Sequence, residues 1–96
     1  MMKCAIIRAP QAGVFIAWGV EIDTAAAAVR VAAARRLWKW AAAKDCIDLA
    51  MRGCPAEGSN IGCRSGEMII LGVAEVIAAT AEAENRINAA PEWMQP

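Results

Sequence analysis

The segment from Thr24 to Lys44 most constrains the fold of this chain, because two rules of local structure conflict within it. Ten of its residues are alanine, the residue with the highest helix propensity. The same segment alternates apolar and basic residues at 29–31 and 37–40, where β-branched and aromatic side chains favour a strand. Residues 25–43 are therefore compatible with a helix or with a strand, and both interpretations stay open at this stage.

The same segment concentrates positive charge. It contains five cations and no acid, whereas the rest of the chain contains the other five cations and all ten acids. The net charge of zero thus conceals a basic segment inside an acidic remainder. Sequence-independent binding of long nucleic acid requires a broadly basic surface, so the balanced charge argues against that class of protein. The basic segment is of a size that suits a small anion.

The centre of this segment reads Arg-Arg-Leu-Trp-Lys-Trp from residue 35 to residue 40. Guanidinium groups stack on indole rings and pair with phosphates, so this composition suits a ligand that is both aromatic and anionic, such as a nucleotide. On a strand, Arg36, Trp38 and Trp40 would share one face, whereas on a helix Arg36 would lie over Trp40. The competing interpretation is that the tryptophans belong to the core or to an interface. The predicted ligand-binding residues are Arg35, Arg36, Trp38, Trp40, Arg8 and Arg86.

The remaining pattern predicts an α+β fold, in which a small antiparallel β-sheet carries a short helix and a C-terminal helix. We expect a single domain over residues 1–96, with a β-sheet core at about 3–79 and the C-terminal helix and tail at 80–96. The predicted elements are a hairpin of strands 3–8 and 13–22, a helix 46–52 after the cap Asp45, a long loop 53–66, a strand 67–79 broken at Gly72, and a helix 81–89 after the cap Thr80.

The size of the chain predicts an oligomer. A domain of this length buries only about 65% of the surface that its unfolded chain exposes. Hydrophobic residues make up 58% of the sequence, but much of this excess is alanine, which fills little volume. A second copy would enlarge the thin core, so we expect a homo-oligomer.

Catalytic and metal chemistry find little support in the sequence. The chain has no histidine, no tyrosine, two serines and two threonines, so no nucleophile with an adjacent imidazole can be assembled. Neither glycine-rich stretch has the phosphate-binding P-loop pattern. The four cysteines lack the short paired spacing of zinc sites. We therefore predict a protein that is not an enzyme, with no catalytic residue, no metal and no cofactor.

The sequence predicts neither a membrane span nor a leader. No run of about 18 apolar residues is free of charge, which a transmembrane helix requires. The apolar run 4–7 ends at Arg8 and is too short for a signal peptide. We expect a cytoplasmic protein whose cysteines are reduced and act mainly as small buried hydrophobes.

Several stretches resemble a small bacteriophage family with an Ala-Arg-Arg-(Leu/Ile)-Trp-Tyr-Trp signature. The matching stretches are Gly13-Val14-Phe15, Ala34 to Ala41, Leu49 to Gly53, Glu67 to Ile70, Val73 to Ile77 and Pro91-Glu92-Trp93. This family is similar to the Thoeris anti-defence sponges, which sequester cyclic nucleotide immune signals such as cyclic ADP-ribose isomers and cyclic oligonucleotides. Lys39 stands where the signature has tyrosine, Ile61 lies where an aromatic residue is expected, and Gly72 where a polar residue is usual.

The resemblance implies an antiparallel sheet with C-terminal helices, assembled into a dimer or a hexamer in the host cytoplasm. It implies that pockets between subunits bind a small nucleotide without cutting it, with Arg35 or Arg36 on phosphate or ribose. The alternative is a non-catalytic phage structural or host-interaction module whose Arg-Trp segment is an oligomer interface.

Overall fold

The computed structural model describes residues 1–94 and has the expected α+β architecture, with a seven-stranded antiparallel sheet and two helices. In chain order, the elements are β1 (Met2–Ala9), β2 (Gly13–Asp23), β3 (Ala28–Val31), β4 (Ala33–Lys39), α1 (Cys46–Arg52), β5 (Asn60–Arg64), β6 (Met68–Leu71), β7 (Glu75–Ala78) and α2 (Ala81–Asn88).

The sheet bends back on itself along β2. The first part of β2 lies in the strand order β5-β4-β2-β1-β7, whereas its last three residues pair with β3, which in turn pairs with β6. The bend occurs at Gly19, whose φ of 62° favours glycine. Ala32 separates β3 from β4 opposite this bend, and its N–H donates to the carbonyl of Trp18. As a result, β3 and β6 fold over one face of the main sheet.

The alanine-rich segment forms two strands, so alternation prevails over helix propensity. Val29 and Val31 of β3 and Ala34 of β4 are buried between the two layers, and Leu37 of β4 is buried on the other face. A helix would have scattered these side chains around its axis, whereas strand pairing brings each to an apolar face. Tertiary packing of this kind commonly overrides the weak preference of alanine.

Two apolar clusters lie on opposite faces of the main sheet. The first lies between the sheet and the helices and includes Ile6, Ile16, Leu49 and Ile87. The second lies between the sheet and the folded-over layer of β3 and β6, and its largest members include Ile7, Phe15, Val20, Val29 and Ile70. The face that carries the second cluster also carries the candidate site.

Both helices begin at the predicted caps. Asp45 accepts a hydrogen bond from the N–H of Asp48 at 2.9 Å, and Thr80 accepts one from the N–H of Ala83 at 3.1 Å. Each cap satisfies one of the free N–H groups in the first turn. The end of α1 at Gly53 is also as predicted, and its backbone N–H donates to the carbonyl of Leu49.

One expectation about the second half of the chain was wrong, and another was right only in part. The loop predicted over 53–66 contains β5, which pairs with β4. The strand predicted over 67–79 is two strands, and the predicted break at Gly72 is confirmed, since the chain turns there with a φ of 69°. Before this turn β6 pairs with β3, and after it β7 pairs with β1, so the two halves of the run belong to different layers.

Candidate functional site

Arg36, Trp38 and Phe15 form the centre of the candidate site. Arg36 and Trp38 project from the same face of β4, and the register of β2 places Phe15 directly opposite Arg36. The guanidinium carbon of Arg36 lies 5.0 Å from the centre of the Phe15 ring and 5.2 Å from that of Trp38. Both distances are within the range of cation–π attraction, so the two rings hold the charged group in place.

Two adjacent cavities open on either side of this arginine. The first has a volume of about 240 Å³ and is lined in part by Trp38. The second has a volume of about 370 Å³ and lies beside β6. Phe15, Arg36 and Met68 line both. The other residues lining the first cavity are Ala34, Trp38, Gly62, Cys63 and Ser65.

The Arg36 side chain is incompletely satisfied by the protein. Its Nε atom is buried and has no hydrogen-bond partner among the described residues. Gly13 lies against it, since a Cβ atom at that position would be 3.5 Å from Nε. No ion pair within residues 1–94 involves Arg36. A cation without a carboxylate partner beside an open cavity is suited to bind an anion.

Trp38 presents an unusually accessible ring. It is 58% exposed. Trp93, in the segment after α2, packs against it in a tilted arrangement with the two ring centres 6.1 Å apart. The N–H of Trp93 donates to the carbonyl of Ile61, which fixes this part of the tail against β5. Trp93 therefore packs against the sheet, and much of the Trp38 ring stays open to a planar ligand.

Arg35, predicted as a ligand residue, lies instead in the core beneath the helices. Strand alternation points it away from Arg36, and it is only 5% exposed. Its Nε donates to the carbonyl of Gly62 at 2.8 Å, and Nη1 donates to the carbonyl of Ile87 at 3.3 Å in the last turn of α2. Burial lowers the pKa of the Arg35 guanidinium from its ordinary value. Its position indicates a structural role, not ligand contact.

The structure separates the other three predicted site residues from Arg36. Trp40 follows the end of β4 at Lys39 and packs against the helix-side cluster, so the face alternation expected for it does not extend that far. Arg8 forms an ion pair with Glu75 between β1 and β7. Arg86 donates to the carbonyl of Arg52 at the end of α1. Only Arg36 and Trp38 of the predicted set come together.

The sequence pattern did not reveal the residues that complete the cavities. Phe15 is the only phenylalanine of the chain and lies in the predicted second strand, but only the strand register shows that it faces Arg36. Ser65 and Met68 come from the connection and strand that fold over the sheet. Their approach depends on the bend at Gly19, which no local pattern in this segment indicates.

The polar groups in the first cavity are largely occupied. The Ser65 hydroxyl accepts from the N–H of Ala34 at 2.9 Å and donates to the carbonyl of Gly66 at 2.8 Å. No residue among 1–94 that lines this cavity is an acid. Within the same described range, no group of three or more Cys, Asp or Glu residues could hold a metal ion. The arrangement can bind and orient an anion, and it offers no base next to the hydroxyl.

We expect Cys63 to report occupancy of the first cavity. Cys63 is exposed and lines that cavity, whereas the other three cysteines are buried, and burial raises the pKa of Cys4 to about 12. Thiolates react with alkylating agents, so native protein should lose one thiol rapidly and the other three slowly. Mass spectrometry after iodoacetamide treatment should locate the label on Cys63, and a bound ligand should slow it. Equal labelling of all four cysteines in folded protein would contradict this placement.

The fold and the site define a small α+β protein, built on a bent antiparallel sheet, with one arginine between two open cavities. The family described as Domain of unknown function (DUF6948) matches residues 2–87, and the chain belongs to this family. Comparison with curated proteins found no match, and comparison with solved structures found none. None of the helices formed by residues 1–94 has the length and apolar character needed to cross a membrane.

Proposed function

We propose that the protein binds a small anionic, ring-bearing metabolite of the nucleotide class and retains it without converting it. The observation that carries this proposal is the guanidinium of Arg36, held between Phe15 and Trp38 at the common wall of two open cavities. The cation would pair with phosphate, and the exposed Trp38 ring would stack on a base. The absence of histidine and tyrosine supports a binding protein instead of a hydrolase.

The biological role that we propose is sequestration of cyclic nucleotide immune signals in the host cytoplasm. The support is the Ala-Arg-Arg-Leu-Trp resemblance together with the position of Arg36 and Trp38 from that motif. Cyclic ADP-ribose isomers and cyclic oligonucleotides both combine phosphate with planar bases, which is the chemistry that these two side chains would bind.

Energetic considerations favour an oligomer in this role. One charged contact contributes about 1.5–3 kcal/mol, and one base stack contributes about 1–3 kcal/mol. Nanomolar affinity requires about 12 kcal/mol after the cost of association. A single subunit with one free cation at the site falls short of this value, so we propose that a dimer or hexamer supplies additional contacts. Ligand binding would then stabilise the oligomer.

Thermal denaturation with a nucleotide panel tests the proposal. The panel contains adenosine monophosphate, cyclic adenosine monophosphate, cyclic ADP-ribose and cyclic di-adenosine monophosphate at millimolar concentration, with inorganic phosphate and adenosine as controls. At least one nucleotide should raise the melting temperature, because ligand binds only to folded protein. Recovery of the unchanged nucleotide by chromatography would support retention without hydrolysis. No shift with any member of the panel would contradict nucleotide binding.

The alternative function is a structural or host-interaction module with the Arg-Trp segment as an interface. The specific observation in its favour is the 58% exposure of Trp38, since exposed tryptophans are enriched in protein interfaces. Under this alternative, no nucleotide of the panel should change the melting temperature. Light scattering would then show a concentration-dependent mass that Trp38→Ala reduces.

A further inference from the structure

The second cavity lies along the free edge of β6. Its lining includes four consecutive residues, Met68 to Leu71, together with Gln11. Because side chains of a strand alternate between its two faces, a cavity that touches four residues in a row must run along the strand edge. In the described sheet, β6 pairs only with β3, so its other edge has backbone N–H and C=O groups that no strand occupies.

A free strand edge can bind a planar group through hydrogen bonds. It presents donors and acceptors at regular spacing, and such edges bind added strands in many proteins. A nucleobase also carries adjacent donor and acceptor atoms at its rim. Leu71 and Ile69 are 67% and 54% exposed, so the edge has apolar side chains that a flat ligand could cover.

The positive charge at the site lies between the two cavities, which favours a ligand with its anionic group in the middle. Arg36 belongs to the wall that both cavities share, and it is the only charged residue among the described residues that line either one. A ligand that ended in phosphate at Arg36 would fill one cavity and leave the other to water. A ligand with a phosphate between two planar groups would fill both.

We propose, on the basis of the proposed function, that the ligand has two planar groups joined through an anionic phosphate linker. The linker lies at Arg36, one planar group stacks on Trp38, and the other lies along the β6 edge beside Gln11. Dinucleoside phosphates have this chemistry with a single phosphate, and dinucleotides with a pyrophosphate link share it. The β6 edge is thus a second subsite of the same binding protein.

Isothermal titration calorimetry with three adenine compounds tests the inference. The probes are adenosine 5′-monophosphate, adenylyl-(3′→5′)-adenosine and nicotinamide adenine dinucleotide. Because the second ring adds a stack or an edge contact, at least one two-ring compound should bind about tenfold more tightly than the monophosphate. Charge alone predicts the opposite order for adenylyl-adenosine, because its single phosphodiester carries less negative charge than a terminal phosphate. The ranking of the two larger probes distinguishes the one-phosphate linker from the two-phosphate linker.

A paired substitution in the second cavity separates this subsite from the first. The double variant Gln11→Ala/Leu71→Ser alters exposed side chains, so the fold should persist, and it should bring the affinity for the two-ring compound to that of the monophosphate. Affinity for the monophosphate should change less than twofold. Ile22→Ser, at another exposed apolar position of the bent sheet, is the matched control and should change neither affinity.

Equal affinity of all three probes for the unaltered protein would overturn the two-ring ligand and leave the proposed function standing. Equal weakening of every probe by the double variant would also overturn it, because the β6 edge would then not discriminate between ligands. Absence of binding by all three would overturn the proposed function and this inference together.

Discussion

Replacing Arg35 by methionine should lower the free energy of unfolding by about 3 kcal/mol or more. The guanidinium donates to backbone carbonyls of β5 and of the last turn of α2, and it is almost fully buried. Methionine has a similar length but no donor, so these carbonyls would remain buried without partners. Each unsatisfied buried polar group costs about 1–3 kcal/mol.

Removing a buried charge could in principle have the opposite effect, because desolvation of a charge is unfavourable. Stability increases in this way when both members of a buried ion pair are replaced by apolar groups. Here the acceptors belong to the backbone and remain in the variant, including carbonyls at the negative end of the helix dipole. The loss of donors should therefore outweigh the relief of desolvation.

Urea denaturation of Arg35→Met and of Arg30→Met provides the measurement. Arg30 is an exposed arginine on β3, the strand that precedes β4 in the chain, so its replacement should change stability by no more than about 0.5 kcal/mol. For a domain of this size, the Arg35 variant should melt at least about 12 °C lower. A loss below about 1 kcal/mol would show that the Arg35 hydrogen bonds contribute little.

Replacing Arg36 by methionine should reduce affinity for the bound nucleotide by about 10- to 100-fold while leaving the fold intact. A charged hydrogen bond contributes about 1.5–3 kcal/mol, and each 1.4 kcal/mol corresponds to a factor of ten. The Arg36 Nε is already buried without a partner, so its removal leaves no protein acceptor unsatisfied. Stability should stay equal or rise slightly, as is common where a side chain serves binding.

Arg36→Lys provides the finer comparison. Lysine keeps the charge but lacks the planar group that fits between Phe15 and Trp38, so affinity should fall to an intermediate value. Calorimetry measures affinity and urea denaturation measures stability for the same preparations. Undiminished nucleotide affinity in a folded Arg36→Met protein would show that Arg36 does not bind the ligand. Together, the variants at 35 and 36 should separate stability from binding at two adjacent positions.

Local chemistry predicted those parts of the fold that depend on neighbours in sequence. Asp45 and Thr80 begin the two helices because their side-chain oxygens satisfy N–H groups three residues ahead. The hairpin of β1 and β2 was predicted because apolar alternation on both sides of a short turn encodes it. In the Arg-Trp segment, alternation also predicted that Arg36 and Trp38 would share a face if the segment were a strand.

Patterns that span only a few residues predict the capped helices, the first hairpin, the α+β class and a basic, aromatic segment without acids. The pairing of distant strands places residues 28–31 and 33–39 in strands instead of a helix. It also brings Arg35 onto backbone carbonyls in the core and Arg36 opposite Phe15 beside the β6 edge. This division arises because capping and alternation act over a few residues. Burial and register depend on which distant strands pair, and that choice is made by the whole chain as it folds around its two apolar clusters.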